Sequence, residues 1–386
     1  MTEIGVLSSQ EIKQLISLKI VKSKTKIQES QLQPASLDLR LGNKGYRVSA
    51  SRRPSKNESM DALIEKSLYE VNLNKGAVLE KDSKYLIELQ ENIDFNALKD
   101  TKITDFSESR SMLGYDLSSM KVHANNKSTS GRLHFEAKLV SHAGYDVVHV
   151  SHTDKLFLEV TPKSFPIKVF KGLCLNQIRF CLGNANVIDS ELENKWLETP
   201  FVFNDLKPVN EPKQYLNNGI LLSVGFGERI GFIARKDVDT VIDLNKKNHY
   251  APEEFFNELR LNKFNELVLR TGDFYIISTR EGVSVPLNYC GEMLPYAVAS
   301  GEFRSHYAGF FDPGWGYGRQ GEIKGAQATL EVIPHDTIAI KHGHVICKMA
   351  FEKMHSIPER AYGETGSTYH KQKGPTLAKQ FKAWNT

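Results

Sequence analysis

Cysteine is scarce in this chain of 386 residues: Cys174, Cys181, Cys290 and Cys347 are all there are, and no two form a CxxC pair. So few thiols exclude a disulfide framework. Charge of one sign is also missing. Lys and Arg number 50 against 46 Asp and Glu, and a net charge of +4 gives no argument for nucleic acid binding. No apolar run approaches the ~20 residues of a spanning helix, so no membrane association is expected. The opening MTEIGVLSSQEIKQ lacks a basic stretch ahead of an apolar core, so no secretory signal is expected either. These absences predict a soluble, cytoplasmic protein. His134-Phe135-Glu136 matches the HxE half of a zinc nucleotide-deaminase signature, but the PCxxC half is absent. Alternate residues on one side of a strand are the simpler reading, and no zinc is expected.

What is present is apolar and aromatic: 40% hydrophobic residues, with 20 Phe and 14 Tyr, enough to bury a core. The sequence also repeats itself. Leu158-Glu159-Val160 and Leu330-Glu331-Val332 lie 172 residues apart. Each is followed by x-Pro, an alternating apolar stretch, a Gly (Gly172, Gly343) and a second stretch ending in Phe (Phe180, Phe351). Upstream, LNKG at 73–76 leads to KYLIEL and LRTG at 269–272 to FYIIST, and SLDLRLG at 36–42 has a weaker echo in GILLSVG at 219–225. Three blocks in one order indicate a duplicated domain.

The blocks read as strands. Leu37, Leu39 and Leu41 alternate with Ser36, Asp38 and Arg40, which gives one apolar face and one polar face. Many short strands with few helices predict an all-β barrel or roll. Ser8 and Glu11 make a capping box ahead of Ile12, Leu15 and Ile16, and Pro252 opens a predicted helix over PEEFFNELRLNKF. The polar, Pro-punctuated segment 186–215 reads as a connection between domains at 1–185 and 216–355. Residues 356–386, rich in Gly, Ser and Tyr, suit a disordered tail or a lid that folds over a ligand.

Two stretches can carry chemistry. Lys127-Ser128-Thr129-Ser130-Gly131-Arg132 offers three hydroxyls, a Gly and two cations for phosphate oxygens, although a solvated turn has the same composition. It is not a P-loop, since the GxxxxGK[ST] order is absent. Ser300 and Arg304 hold the matching place in the second half. The other stretch runs AGFFDPGWG from Ala308 to Gly316 and continues to Thr329-Leu330-Glu331. Asp312-Pro313-Gly314 forces a tight turn, and the glycines allow a ligand near the backbone. By alternation Glu331 faces away from Leu330 and Val332. It is then either solvent-facing or a pocket carboxylate whose pKa rises toward that of a useful general base.

Taken together, QPASLDLRLG, KSTSGR, AGFFDPGWG…TLEV and the tail AYG…STYHKQKG resemble dCTP deaminase in its long two-domain bacterial form, within the dUTPase-like superfamily. The resemblance covers nearly the whole chain in order. It implies a mainly β chain of two dUTPase-like distorted β-roll domains with a few short helices. It further implies a zinc-independent, hydrolytic deamination of dCTP to dUTP. The implied site has Glu331 as general acid/base, with Ser128 or Ser300 holding the attacking water. Lys127, Ser128, Thr129, Ser130 and Arg132 fall on the family's phosphate motif. Asp312, Thr329 and Leu330 fall on its nucleotide-contacting stretch, with backbone near Ala308 on the cytosine edge. Tyr362 and Gln372 fall on its closing tail, so removing the tail is expected to weaken binding and spare stability. The family's tail Lys reads Thr368 here, and the Arg two residues before Asp-Pro-Gly reads Phe310. Mg²⁺ would arrive on the triphosphate, with no metal ligand from the protein, and a homo-oligomer with sites between domains or subunits is expected. The alternatives are a bifunctional deaminase and dUTP diphosphatase, a dUTPase, or a nucleotide-binding regulator without catalysis. Unequal conservation of the motifs predicts a composite site, Ser128 and Arg132 from the first half with Asp312 and Glu331 from the second. Glu159 marks a possible second copy.

Overall fold

The computed structural model describes residues 4–55, 58–97, 117–151, 155–295, 303–305 (backbone), 309–364, 366, 369 and 372–384. The fold is mainly β, and the sequence repeat becomes a repeat of strand pairing. In the first half Phe157–Pro162 pairs with Lys84–Leu89, and Ile167–Val169 with Ala77–Leu79. Cys174–Leu182 lies between Leu37–Val48 and Met120–Asn126. The second half matches each step. Ala326–Pro334 pairs with Tyr275–Val283, Ile338–Ile340 with Leu267–Leu269, and Val345–Lys353 lies between Ile220–Ser223 and Tyr289–Pro295. Even the register is kept: Glu159 stands opposite Leu86, and Glu331 opposite Ile276.

Alternation along these strands supplies two large apolar cores. One is built around Leu37, Leu39, Tyr85, Ile87 and Leu158, the other around Leu222, Tyr275, Ile277, Leu330 and Phe351. The halves do not hang on a free linker. The strand Ile167–Val169 also pairs in parallel with Ile242–Asp243, and Phe232, Phe255, Phe256 and Phe274 of the second half pack into the first core.

Local signals held where nothing overrode them. The capping box at Ser8 and Glu11 starts the helix Ser9–Ser17, with Ile12 and Leu15 buried. The helix expected after Pro252 is cut to the 3₁₀ turn Pro252–Glu254, and Phe256–Glu258 is a strand against Phe232–Ala234. Phe255 and Phe256 both pack edge-on to Phe165 at 5.4 Å, an arrangement of consecutive aromatics that a continuing helix would split. The segment 186–215 is more than a connection. It contains the helix Asp189–Glu198, which buries Leu192 and Trp196 one turn apart, and Trp196 Nε1 donates to the Val209 carbonyl at 2.7 Å. His134 is a left-handed turn residue (φ 51°) ahead of the strand Phe135–Ser141 rather than part of it. Burial pushes its pKa down to about 3, and its ring stacks on Phe274 at 4.2 Å.

The tail is not a free strap. Ala378 and Phe381 are buried, Phe381 packs against Phe255 at 5.2 Å, and Trp384 lies 4.8 Å from Phe232. Ala378 and Phe381 therefore belong to the first core, with Leu377 and Trp384 packed on it, and the expectation that the tail could be removed without loss of stability is corrected.

Candidate active site

A cavity of about 420 Å³ opens between the two halves and is roofed by the tail. The first half contributes Asp38, Lys127, Ser128, Thr129, Arg132 and Gln177; the second contributes Phe310, Phe311, Asp312, Trp315, Thr329 and Glu331.

KSTSGR forms a short helical turn, Ser128–Arg132, which connects Met120–Asn126 to Phe135–Ser141. Ser128 and Thr129 face the cavity, whereas Ser130 is buried and donates to the Leu175 carbonyl at 2.9 Å. Gly131 sits close against Glu331. A Cβ there would come within 3.0 Å of the Glu331 carboxyl carbon, so the turn rests directly on that carboxylate. Arg132 is 4% exposed, with Nε 3.8 Å from Glu331 Oε1. Lys127 is committed to Asp38, whose carboxylate raises the lysine pKa against the opposing effect of burial.

In the second half, Glu331 is 2% exposed and faces the cavity, which decides against the solvent-facing alternative. Leu330 points into the core and does not line the site; Thr329 does, and its hydroxyl accepts from the Thr376 N–H at 3.3 Å. Asp312 accepts from the Ala35 N–H at 3.0 Å, which ties the Asp-Pro-Gly turn to the first half. Burial pushes its carboxyl up to about 7; that backbone donor opposes the shift and the Asp38 charge adds to it. The neighbouring glycines serve the protein's own chain rather than a ligand. Gly314 and Gly316 have φ of +94° and +61°, and a Cβ on Gly316 would sit 2.0 Å from the Val283 carbonyl.

From the tail, Gln372 accepts from Arg132 Nη2 at 2.8 Å and donates to the Gln327 carbonyl at 2.7 Å. Tyr362 lines the cavity, with its N–H on the Pro313 carbonyl. The tail tyrosine in contact with the Ser128–Arg132 turn is Tyr369, which the sequence pattern did not single out. Its ring lies under the Arg132 guanidinium at 3.6 Å, and its hydroxyl is 3.2 Å from Thr129 Oγ1. Its signal was its place three residues before Gln372. Asp38 lies on the polar face of its strand, and that face is buried as well: Ser36 donates to Gln177 Oε1 at 3.1 Å and Asp38 pairs with Lys127.

Ser300, Ala308 and Thr368 lie outside the described residues. Arg304 does not hold the place of Arg132: it stands opposite Ile333, as Glu136 stands opposite Thr161. Pro295 pairs with Cys347 as Asn126 pairs with Asn176, so Asn126 and Pro295 hold matching places in the two halves. Glu159 is buried away from the cavity. It accepts from Ser51 Oγ at 2.7 Å, with Lys84 at 3.8 Å, and Met60 and Leu63 of the covering segment pack on Leu86 and Phe157. Among the described residues no group of three His, Cys, Asp or Glu is placed to hold a metal, and no helix is long and apolar enough to cross a membrane.

Residues 190–381 match the family model of the 2'-deoxycytidine 5'-triphosphate deaminase C-terminal domain, and residues 3–114 and 115–184 match that of its N-terminal domain. A Natronomonas pharaonis protein named dCTP deaminase is 31% identical over 138 residues, 33% of this chain and 63% of that protein. A Dictyoglomus thermophilum protein named dCTP deaminase, dUMP-forming, is 28% identical over 132 residues, 33% of this chain and 64% of that protein. The chain thus spans a little under two thirds of the length of these curated relatives. The crystal structure of 2'-deoxycytidine 5'-triphosphate deaminase from Agrobacterium tumefaciens is 34% identical with a TM-score of 0.78, covering 93% of this chain and all of that one.

Proposed function

The chain belongs to the 2'-deoxycytidine 5'-triphosphate deaminase family, and from that premise we propose that it hydrolyses dCTP to dUTP and ammonia at the cavity between its halves. The observation that carries this reading is the approach of Glu331 to the Ser128–Arg132 turn, which puts a buried carboxylate beside hydroxyls and cations suited to a nucleotide.

Glu331 takes a proton from a water held by the Ser128 hydroxyl, and the water oxygen bonds to cytosine C4. Protons pass through Glu331 to N3 and to the exocyclic nitrogen, the C4–N bond breaks, and ammonia leaves as the carbonyl forms. Asp312, Phe311 and Trp315 form the wall on the base side, while Thr129, Arg132, Tyr369 and Gln372 face the phosphates. Lys127 and Ala35 already engage the carboxylates of Asp38 and Asp312, so Mg²⁺ would be held by phosphate oxygens and would enter on the triphosphate.

A second reading, in which dUTP is further cleaved to dUMP and pyrophosphate, is favoured by the dUMP-forming name of a relative. One experiment separates them: incubation with dCTP and then dUTP, assaying ammonia and pyrophosphate. Ammonia alone supports deamination to dUTP. Both products support the second reading. Nucleotide binding with neither product would make the chain a regulator and overturn the proposal.

A further inference from the structure

The cations that line the cavity are unequally satisfied. Lys127 is paired with Asp38, and Arg132 lies between Glu331, Gln372 and the Tyr369 ring. Lys247 and Lys379 also line it, and among the described residues no carboxylate pairs with either. Neither belongs to a motif that the sequence singled out. Contacts place both at the phosphate end of the cavity. The Lys379 N–H lies 3.3 Å from the Tyr369 hydroxyl, which itself touches Thr129. The Asn248 N–H donates to the Lys379 carbonyl at 2.9 Å, which brings Lys247 alongside, and the parallel bridge between Tyr250 and Phe381 fixes the two segments together. Burial first, then the charges of Lys127 and Lys247, hold the Lys379 ammonium below its ordinary pKa, against a smaller opposing effect of the Asp38 charge.

We propose that Lys247 and Lys379 anchor the terminal phosphate of the nucleotide, so that the site selects a nucleoside triphosphate over the monophosphate. The assignment rests on the deaminase reading above. A phosphate bound between the two lysines relieves their mutual repulsion, and the contact is unavailable to a ligand with one phosphate, whose anion ends at the Ser128–Arg132 turn.

The test uses the full chain, with inorganic tripolyphosphate as a probe in calorimetry beside steady-state kinetics on dCTP and dCMP. Lys379→Met should raise KM for dCTP ~10-fold with kcat little changed, the loss of one charge-assisted hydrogen bond. The double variant with Lys247→Met should weaken both dCTP and tripolyphosphate further and leave KM for dCMP alone. Lys379→Arg should retain tripolyphosphate binding, and thermal melts should show each variant as stable as the parent or more so. Unchanged dCTP and tripolyphosphate affinities in the double variant, or equal losses for dCMP, would overturn the anchor while the deaminase reading stood. Lysine-dependent tripolyphosphate binding without ammonia from dCTP would leave the anion site standing and remove the deaminase reading.

Discussion

Arg132 Nε and Glu331 Oε1 lie 3.8 Å apart although they come from different halves of the chain. That proximity brings the KSTSGR turn of one repeat against the TLE strand of the other. Glu159, the other glutamate of the repeat, does not line the cavity and accepts from Ser51 Oγ instead. Glu331→Gln is therefore expected to lower kcat ~10²–10⁴-fold, the range for losing a general base, with Glu159→Gln nearly silent in kcat. Steady-state ammonia release from both variants checks this, and comparable losses would give the chain two working sites.

The tail should divide into two functions. Phe381→Ala removes a buried ring from the seam and should cost about 3 kcal/mol in chemical denaturation. Gln372→Ala should leave the denaturation midpoint nearly unchanged and raise KM, because its partners are Arg132 and a backbone carbonyl at the cavity. A truncation after Lys373 that left the protein fully stable would contradict the packing of Phe381 and Trp384.

Asp312 makes stability depend on pH in a stated direction. Its folded carboxyl sits at about 7, above the unfolded value of about 3.9. Between these values the folded state binds more protons, so the group's contribution falls as pH rises through the window. Asp312→Asn keeps an acceptor for the Ala35 N–H and removes the titration. The variant should melt higher than the parent at pH 8, with the difference shrinking by pH 5. A gap that stays constant across the range would assign the elevated pKa elsewhere.

Arg179 also links the two halves. It is 5% exposed, 2.5 Å from Glu292 and 3.2 Å from Glu352, with its guanidinium 4.8 Å from the Phe310 ring that lines the cavity. Arg179→Met leaves two carboxylates without their cation and should destabilise by about 3 kcal/mol. Adding Glu352→Gln should recover part of that loss in equilibrium unfolding. Additive losses would mean that the pair is not coupled.

The sequence by itself determined most of the strands, the repeat and several of the residues that line the cavity. Strand periodicity and the 172-residue spacing need no knowledge of distant neighbours, and the register of Glu159 and Glu331 follows from them. That Ser128, Arg132, Asp312 and Glu331 could share one site is what the resemblance of their short stretches implies. Tertiary structure alone decided which copy of each stretch meets the other. It turned the polar side of Ser36 and Asp38 inward, since a strand's second face is solvent only if nothing covers it. It stopped the helix after Pro252, where Phe165 offers Phe255 and Phe256 a better burial than a further turn would. It also brought Tyr369, Lys247 and Lys379 to the cavity through the packing of Phe381 and Tyr250, a contact between segments more than a hundred residues apart in sequence that no local pattern encodes.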